Sequence, residues 1–96
     1  MEFEFDPAKS AANRDKHGLD FVEAQEMWDE PGWIQALPYN GELREMRTAL
    51  IKMRVWSAVY TMRGARIRLI SVRRARWDEE EDYGRFIAEQ RDDDEH

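Results

Sequence analysis

The hairpin written into residues 55–72 constrains this chain more than any other feature. Val55–Met62 is rich in β-branched and aromatic residues, and Arg66–Val72 alternates apolar with polar side chains. Between them, Met62-Arg63-Gly64-Ala65 is a turn signal. Two runs joined by so short a link pair antiparallel, because a parallel crossover needs about a dozen residues or more. Glu45–Met53 reads as a strand ahead of the hairpin, although Glu, Met and Leu also favour helix. Phe3 and Phe5, alternating with Glu2 and Glu4, give a further short strand.

Helices flank this sheet. Asp6 can cap free backbone N–H groups, and Pro7 suits the first helical position, where no donor is missed. Ala8, Ala11 and Ala12 give that helix a small-residue face, and Gly18 ends it. Asp20 starts a second helix with Glu23 three residues on, and Phe21, Ala24 and Trp28 line one face until Pro31-Gly32. Residues 29–43 read as the loosest stretch, with room for a short strand at Trp33–Leu37. A final helix begins near Asp78, where Glu79, Glu80 and Glu81 complement the helix dipole. Tyr83, Phe86 and Ile87 share one apolar face of it. The order β-α-α-β-β-β-α predicts an α+β fold with the helices on one face of a small antiparallel sheet. Residues 1–91 form one domain, and Asp92–His96 a disordered acidic tail.

At 96 residues without cysteine, the chain excludes a disulfide scaffold, a thiolate metal site and a cysteine nucleophile. The acidic start and the lack of a long apolar run point to a cytoplasmic protein with no membrane span. The net charge of −6 argues at first against a nucleic-acid partner. That charge is segregated, however. Residues 1–30 carry a net −6, residues 31–41 no charge, residues 42–77 a net +8 and residues 78–96 a net −8. A strongly basic block coincides with the expected sheet.

Within it, Arg66 and Arg68 share one strand face by alternation. Arg73 has the parity of Ile67 and Leu69, so only a bulge near Ser71 would bring it to the side of Arg68. Arginine's planar fork suits phosphate oxygens, and Trp56, Tyr60 and Trp77 lie among the arginines, where they could stack on unpaired bases. The plainer reading of this block is a solvated strand face paired to the abundant acids. Lys16 and His17 end the first helix. Histidine as a residue type suits proton transfer near neutral pH, although both side chains could merely complement the helix dipole. Glu81 is most simply a helix-start charge, with a catalytic carboxylate as the alternative. No metal-binding loop, zinc motif or phosphate-binding glycine loop is present, so no metal or cofactor is expected.

Several short runs together resemble one family. The segment Phe3–Lys9, Asn13, Lys16-His17-Gly18 and Phe21-x-Glu23-Ala24 are similar to the amino-terminal signature of the BrnT toxins. Glu45-x-Arg47, Tyr60-Thr61-x-Arg63-Gly64, the run Arg66–Ala75 and Glu81-x-Tyr83 resemble its second half. The resemblance implies a RelE-like fold and a metal-independent endoribonuclease, the toxin of a bacterial type II toxin–antitoxin pair. It also implies a cognate ribbon-helix-helix (BrnA-like) antitoxin, with DNA bound only through that antitoxin. Carried over by position, it implies functional roles for Lys16, His17, Arg47, Arg68, Arg73 and Glu81; Arg66 and Arg74, read from the basic block itself, are expected RNA contacts. The chain departs from the family where Phe5 replaces a common tryptophan and Lys52 a usual glycine. Asp78–Asp82 replaces a usually basic stretch.

Two functions compete. In one, His17 and the arginines cleave RNA. In the other, a non-catalytic module docks an antitoxin or another acidic partner on its basic sheet face. A DNA-binding regulator fits less well, because no helix is basic enough to enter a major groove.

Overall fold

A computed structural model describes the backbone of residues 1–94 and the side chains through Arg91. The elements run β1 (Glu2–Glu4), α1 (Pro7–His17), a 3-10 helix (Glu23–Asp29), β2 (Trp33–Tyr39), β3 (Glu42–Ile51), β4 (Arg54–Arg63), β5 (Arg66–Arg74) and α2 (Trp77–Asp94). They build one five-stranded sheet in the order β1-β5-β4-β3-β2. Strands β2 to β5 form an antiparallel meander, and β1 adds parallel to β5. The fold is α+β as expected, but the sheet is mixed and holds one more strand than the expected order contains.

Local chemistry sets the element ends. The Ala8 N–H donates to Asp6 Oδ1 at 2.9 Å, Pro7 opens α1, and Gly18 closes it at φ 83°. Asp20 and Glu23 form the expected reciprocal cap, at 2.8 and 3.4 Å. The helix that follows this turn is a seven-residue 3-10 helix, Glu23–Asp29, which ends just before Pro31-Gly32. The turn into β3 is Asn40-Gly41, with φ 45° and 77°, the left-handed pair of a two-residue hairpin. The density of Pro38, Asn40 and Gly41 reads as a loop, yet Pro38 is tolerated because β2 is an edge strand. Helix α2 runs on through Asp94, into the stretch expected to be a tail. Glu95 and His96 lie outside the described residues.

The helices cover opposite faces of the sheet, not one. Trp56, Ala58 and Tyr60 of β4, Ala49 and Ile51 of β3, and Ile67, Leu69 and Val72 of β5 bury against Leu19, Phe21, Ala24 and Met27. Phe3, Trp28 and Tyr60 continue this core as edge-to-face aromatic pairs at 5.1 and 5.2 Å. Helix α1 meets the core through Ser10 and Asn13, while Ala8, Ala11 and Ala12 are exposed. The Phe21 N–H donates to Ser10 Oγ at 2.9 Å. Asn13 donates to the Leu19 carbonyl at 2.7 Å and accepts from the Val72 N–H at 3.2 Å. It thereby seals the β5 edge beyond the three residues that β1 covers.

Helix α2 lies across the other face, where Glu79 and Tyr83 are buried. A bulge shapes that face. Val59 pairs with Ser71 but Tyr60 pairs with Leu69, so Ile70 is the extra residue on β5. The slip turns Val72 into the core and puts Arg73 on the same face as Arg68.

Candidate nucleic-acid interface

Apart from Arg44, which pairs with Glu42 at 3.2 Å and lies over the Tyr39 ring, the basic block divides into four separate environments. Arg73 leaves the bulge pointing at the first turn of α2. Its Nη1 and Nη2 donate to Glu79 Oε1 and Oε2 at 2.8 Å each. Glu79 Oε1 also accepts from Ser57 Oγ at 2.9 Å and from the Arg76 N–H at 3.0 Å. Ser57 spends its one proton there, so Thr48 Oγ1 must donate to Ser57 Oγ across 2.8 Å. Bonding by Arg73, assisted by Arg76 and Ser57 against the effect of burial, lowers the Glu79 pKa to about 2. The same bond raises the Arg73 pKa. Glu79 is therefore a fixed carboxylate rather than a proton donor, and the fork of Arg73 is occupied by protein.

Arg47 lies on the opposite face of the sheet. Its Nε donates to the Met27 carbonyl at 3.1 Å and its Nη2 to the Glu30 carbonyl at 2.7 Å. Its guanidinium sits 5.5 Å from the centre of the Trp28 ring. Gly32 makes room for it, since a Cβ there would stand 2.6 Å from Arg47 Cζ. Burial lowers the Arg47 pKa. This arginine ties the end of the 3-10 helix to β3, and the sheet separates it from Arg73.

Arg66 and Arg68 stand at the end of the sheet where β1 joins. Arg66 Nε donates to Glu2 at 3.1 Å and its Nη1 lies 3.9 Å from Glu4, and Arg68 and Arg63 each approach Glu4 at 3.7 Å. Glu2 and Glu4 thus neutralise much of this cluster, as the plainer reading of the sequence has it.

The fourth environment is the corner where α1 ends, β3 turns into β4 and β5 leaves the sheet. A cleft of about 250 Å³ opens there, lined among others by Gly18, Lys52, Arg54 and Trp56. Arg74 lies over the Trp56 ring at 5.6 Å. The Ala75 N–H donates to the Val55 carbonyl at 3.0 Å, which carries the chain past this corner towards Arg76. Among the described residues, Lys52, Arg54, Arg74 and Arg76 have no acidic partner within 4.0 Å. Lys52 and Met53 form the β3–β4 turn at φ 49° and 71°, although neither is glycine.

The expected site residues distribute as follows. His17, half-buried, immediately precedes Gly18 of this cleft, with Lys16 exposed beside it. Arg74 is at the corner; Arg47, Arg66, Arg68 and Arg73 are not. Trp56 and Tyr60 are only 7% and 3% exposed, so their rings are core material and offer no face for stacking. Trp77, at 74% exposure, is open. Glu81 is exposed and has no hydrogen bond among the described residues, whereas Glu79, two positions earlier, carries the bonded carboxylate. Sequence reasoning assigned Glu79 only to the helix dipole; its carboxylate accepts the Arg76 N–H, but Arg76 has no acceptor side chain, so no capping-box motif marks it. It also left Arg54 and Lys52 unassigned, since their grouping depends on the turn.

A mixed sheet with helices on both faces and a corner of unpaired cations defines a small α+β protein. The model of the BrnT ribonuclease toxins of type II toxin–antitoxin systems matches residues 5–79, and the chain belongs to that family. The match takes in His17, Arg47, Arg68, Arg73 and Glu79 and stops short of Glu81. No curated protein matches the chain. A type II toxin implies an antitoxin partner. No helix among the described residues is long and apolar enough to cross a membrane.

Proposed function

We propose that this protein is an endoribonuclease toxin whose RNA-contacting surface is the corner of Lys52, Arg54, Arg74 and Arg76. The observation that carries this reading is the contrast in pairing. Arg63, Arg66 and Arg68 at the β1 end lie within 4.0 Å of glutamates, whereas Arg54, Arg74 and Arg76 have no acidic partner at that distance among the described residues, although Glu23, paired with Arg14, also lines the cleft. Unpaired cations attract a phosphate backbone without first losing an internal partner. Trp77, exposed at the start of α2 beside Arg76, supplies a stacking surface for a base. The metal-independent chemistry and the RelE-like relationship come from the family resemblance.

In this reading the 2′-hydroxyl attacks the adjacent phosphorus, the bond to the 5′-oxygen breaks, and a cyclic phosphate and a free 5′-hydroxyl result. His17 accepts the 2′ proton or supplies one to the leaving oxygen, water carries the other proton, and Lys16 adds positive charge beside it. Arg54 and Arg74 stabilise the negative charge that builds on the phosphorane. Arg73, held by Glu79, positions the β5–α2 junction from which Arg74 and Arg76 project. The antitoxin, of the ribbon-helix-helix class, covers this corner with acidic side chains.

The test is expression in a bacterial host with and without the antitoxin, scoring growth arrest and RNA fragments ending in cyclic phosphate. His17→Ala should remove both. Cleavage as fast as wild type by His17→Ala would overturn the assignment. A second reading, a non-catalytic module, is favoured by one observation: Arg47 and Arg73 are both committed to protein groups. It expects stoichiometric RNA or antitoxin binding with the RNA left intact.

A further inference from the structure

We propose that β2 is a self-association edge through which two copies of this chain join their sheets antiparallel. Among the described residues, strand β2 pairs with β3 on one side and with no strand on the other. Natural sheets guard such edges with charged side chains or proline, and of these β2 has only Pro38, near one end. Every other strand of this sheet carries charge, yet β2, Trp33-Ile-Gln-Ala-Leu-Pro-Tyr39, carries none. A chain of net charge −6 can approach its own copy along this edge without setting like charges opposite each other.

The strand is also complementary to itself. A two-fold axis at Ala36 sets Trp33 opposite Tyr39 and Ile34 opposite Pro38, with Gln35 opposite Leu37. Ile34 and Tyr39 are 45% and 53% exposed in the single chain. Trp33 borders a cleft of about 210 Å³ whose other wall is Asp82, Arg85, Phe86 and Glu89 of α2. Trp33 and Tyr39 lie on the same sheet face as α2, so the two-fold brings Tyr39 of each copy to the mouth of the other's cleft. Phe86 offers the ring an apolar side, and Arg85 or Glu89 can bond its hydroxyl. Pro38 lacks an N–H, which leaves the joined edge short and the association concentration-dependent.

Sedimentation across a concentration series tests this. The wild-type mass should double as concentration rises. Ala36→Lys and Ala36→Glu, on an exposed position, should each stay monomeric, with unchanged circular dichroism and the melting temperature of dilute, monomeric wild type. An equimolar mixture of the two should recover the dimer, because opposite charges then meet at the axis. Tyr39→Ala should weaken the dimer at least tenfold. A wild type that stays monomeric throughout, or an Ala36→Lys variant that dimerises like wild type, would overturn the proposal. So would a monomeric wild type whose antitoxin binding is lost in Ala36→Lys, since the edge would then serve an antitoxin strand.

Discussion

Arg73 and Glu79 face each other fork to fork, both nitrogens on both oxygens at 2.8 Å, across the junction of β5 and α2. The pair depends on a bulge at Ile70, without which Arg73 would enter the opposite face. It makes the start of α2 part of the sheet and leaves the neighbouring Arg74 and Arg76 to face solvent.

This pair sets an acid limit on stability. The Glu79 pKa is depressed in the folded state, so its contribution is fully present above the unfolded value near 4.5 and is lost as pH falls through about 2. A shift of that size corresponds to roughly 3–3.5 kcal/mol. Glu79→Gln should lose about that much at neutral pH and should flatten the acid limb of a denaturant-midpoint profile between about pH 5 and 2.

Asn13 is expected to matter for the fold rather than for chemistry. Asn13→Ala leaves the Val72 N–H and the Leu19 carbonyl without partners, at a cost of about 2 kcal/mol in urea unfolding. Specific activity per folded molecule should be unchanged.

The Lys52-Met53 turn holds two non-glycine residues in the left-handed region, and Met53 is 91% exposed. Met53→Gly relieves strain and loses no packing. After the added freedom of the unfolded chain is subtracted, a gain of about 0.5–1 kcal/mol is expected in the same unfolding experiment.

Gly32→Ala tests the seat of Arg47. The new Cβ would displace a guanidinium that bonds the Met27 and Glu30 carbonyls. A loss of about 1–2 kcal/mol is expected. Toxicity should fall only in proportion to the folded fraction.

The parts of this molecule legible in the sequence are those fixed by neighbours in the chain. Asp6-Pro7, Gly18 and the Asp20–Glu23 cap work through bonds within a few residues, and Gly64 marks its hairpin for the same reason. Strand β2 was signalled by Asn40-Gly41 but masked by Pro38, whose cost vanishes only because the strand lies at an edge. The face of Arg73 was not legible, because the bulge arises from the match of β5 to β4. Glu79 and Glu81 look alike in a run of acids, and only the position of Ser57 and Arg73 beneath the helix distinguishes them. Trp56 and Tyr60 follow the strand alternation correctly, but alternation does not say which face the core takes.

The most direct test compares two ends of the same sheet. Affinity for a single-stranded RNA should be measured over a salt series for Arg54→Ala/Arg74→Ala and for Arg66→Ala/Arg68→Ala. The account predicts about a tenfold or greater loss for the first pair, with the salt slope reduced by about 1–2. It predicts no more than about a twofold change for the second, because those arginines already face Glu2 and Glu4. Equal losses from both pairs, or a larger loss from Arg66→Ala/Arg68→Ala, would contradict it.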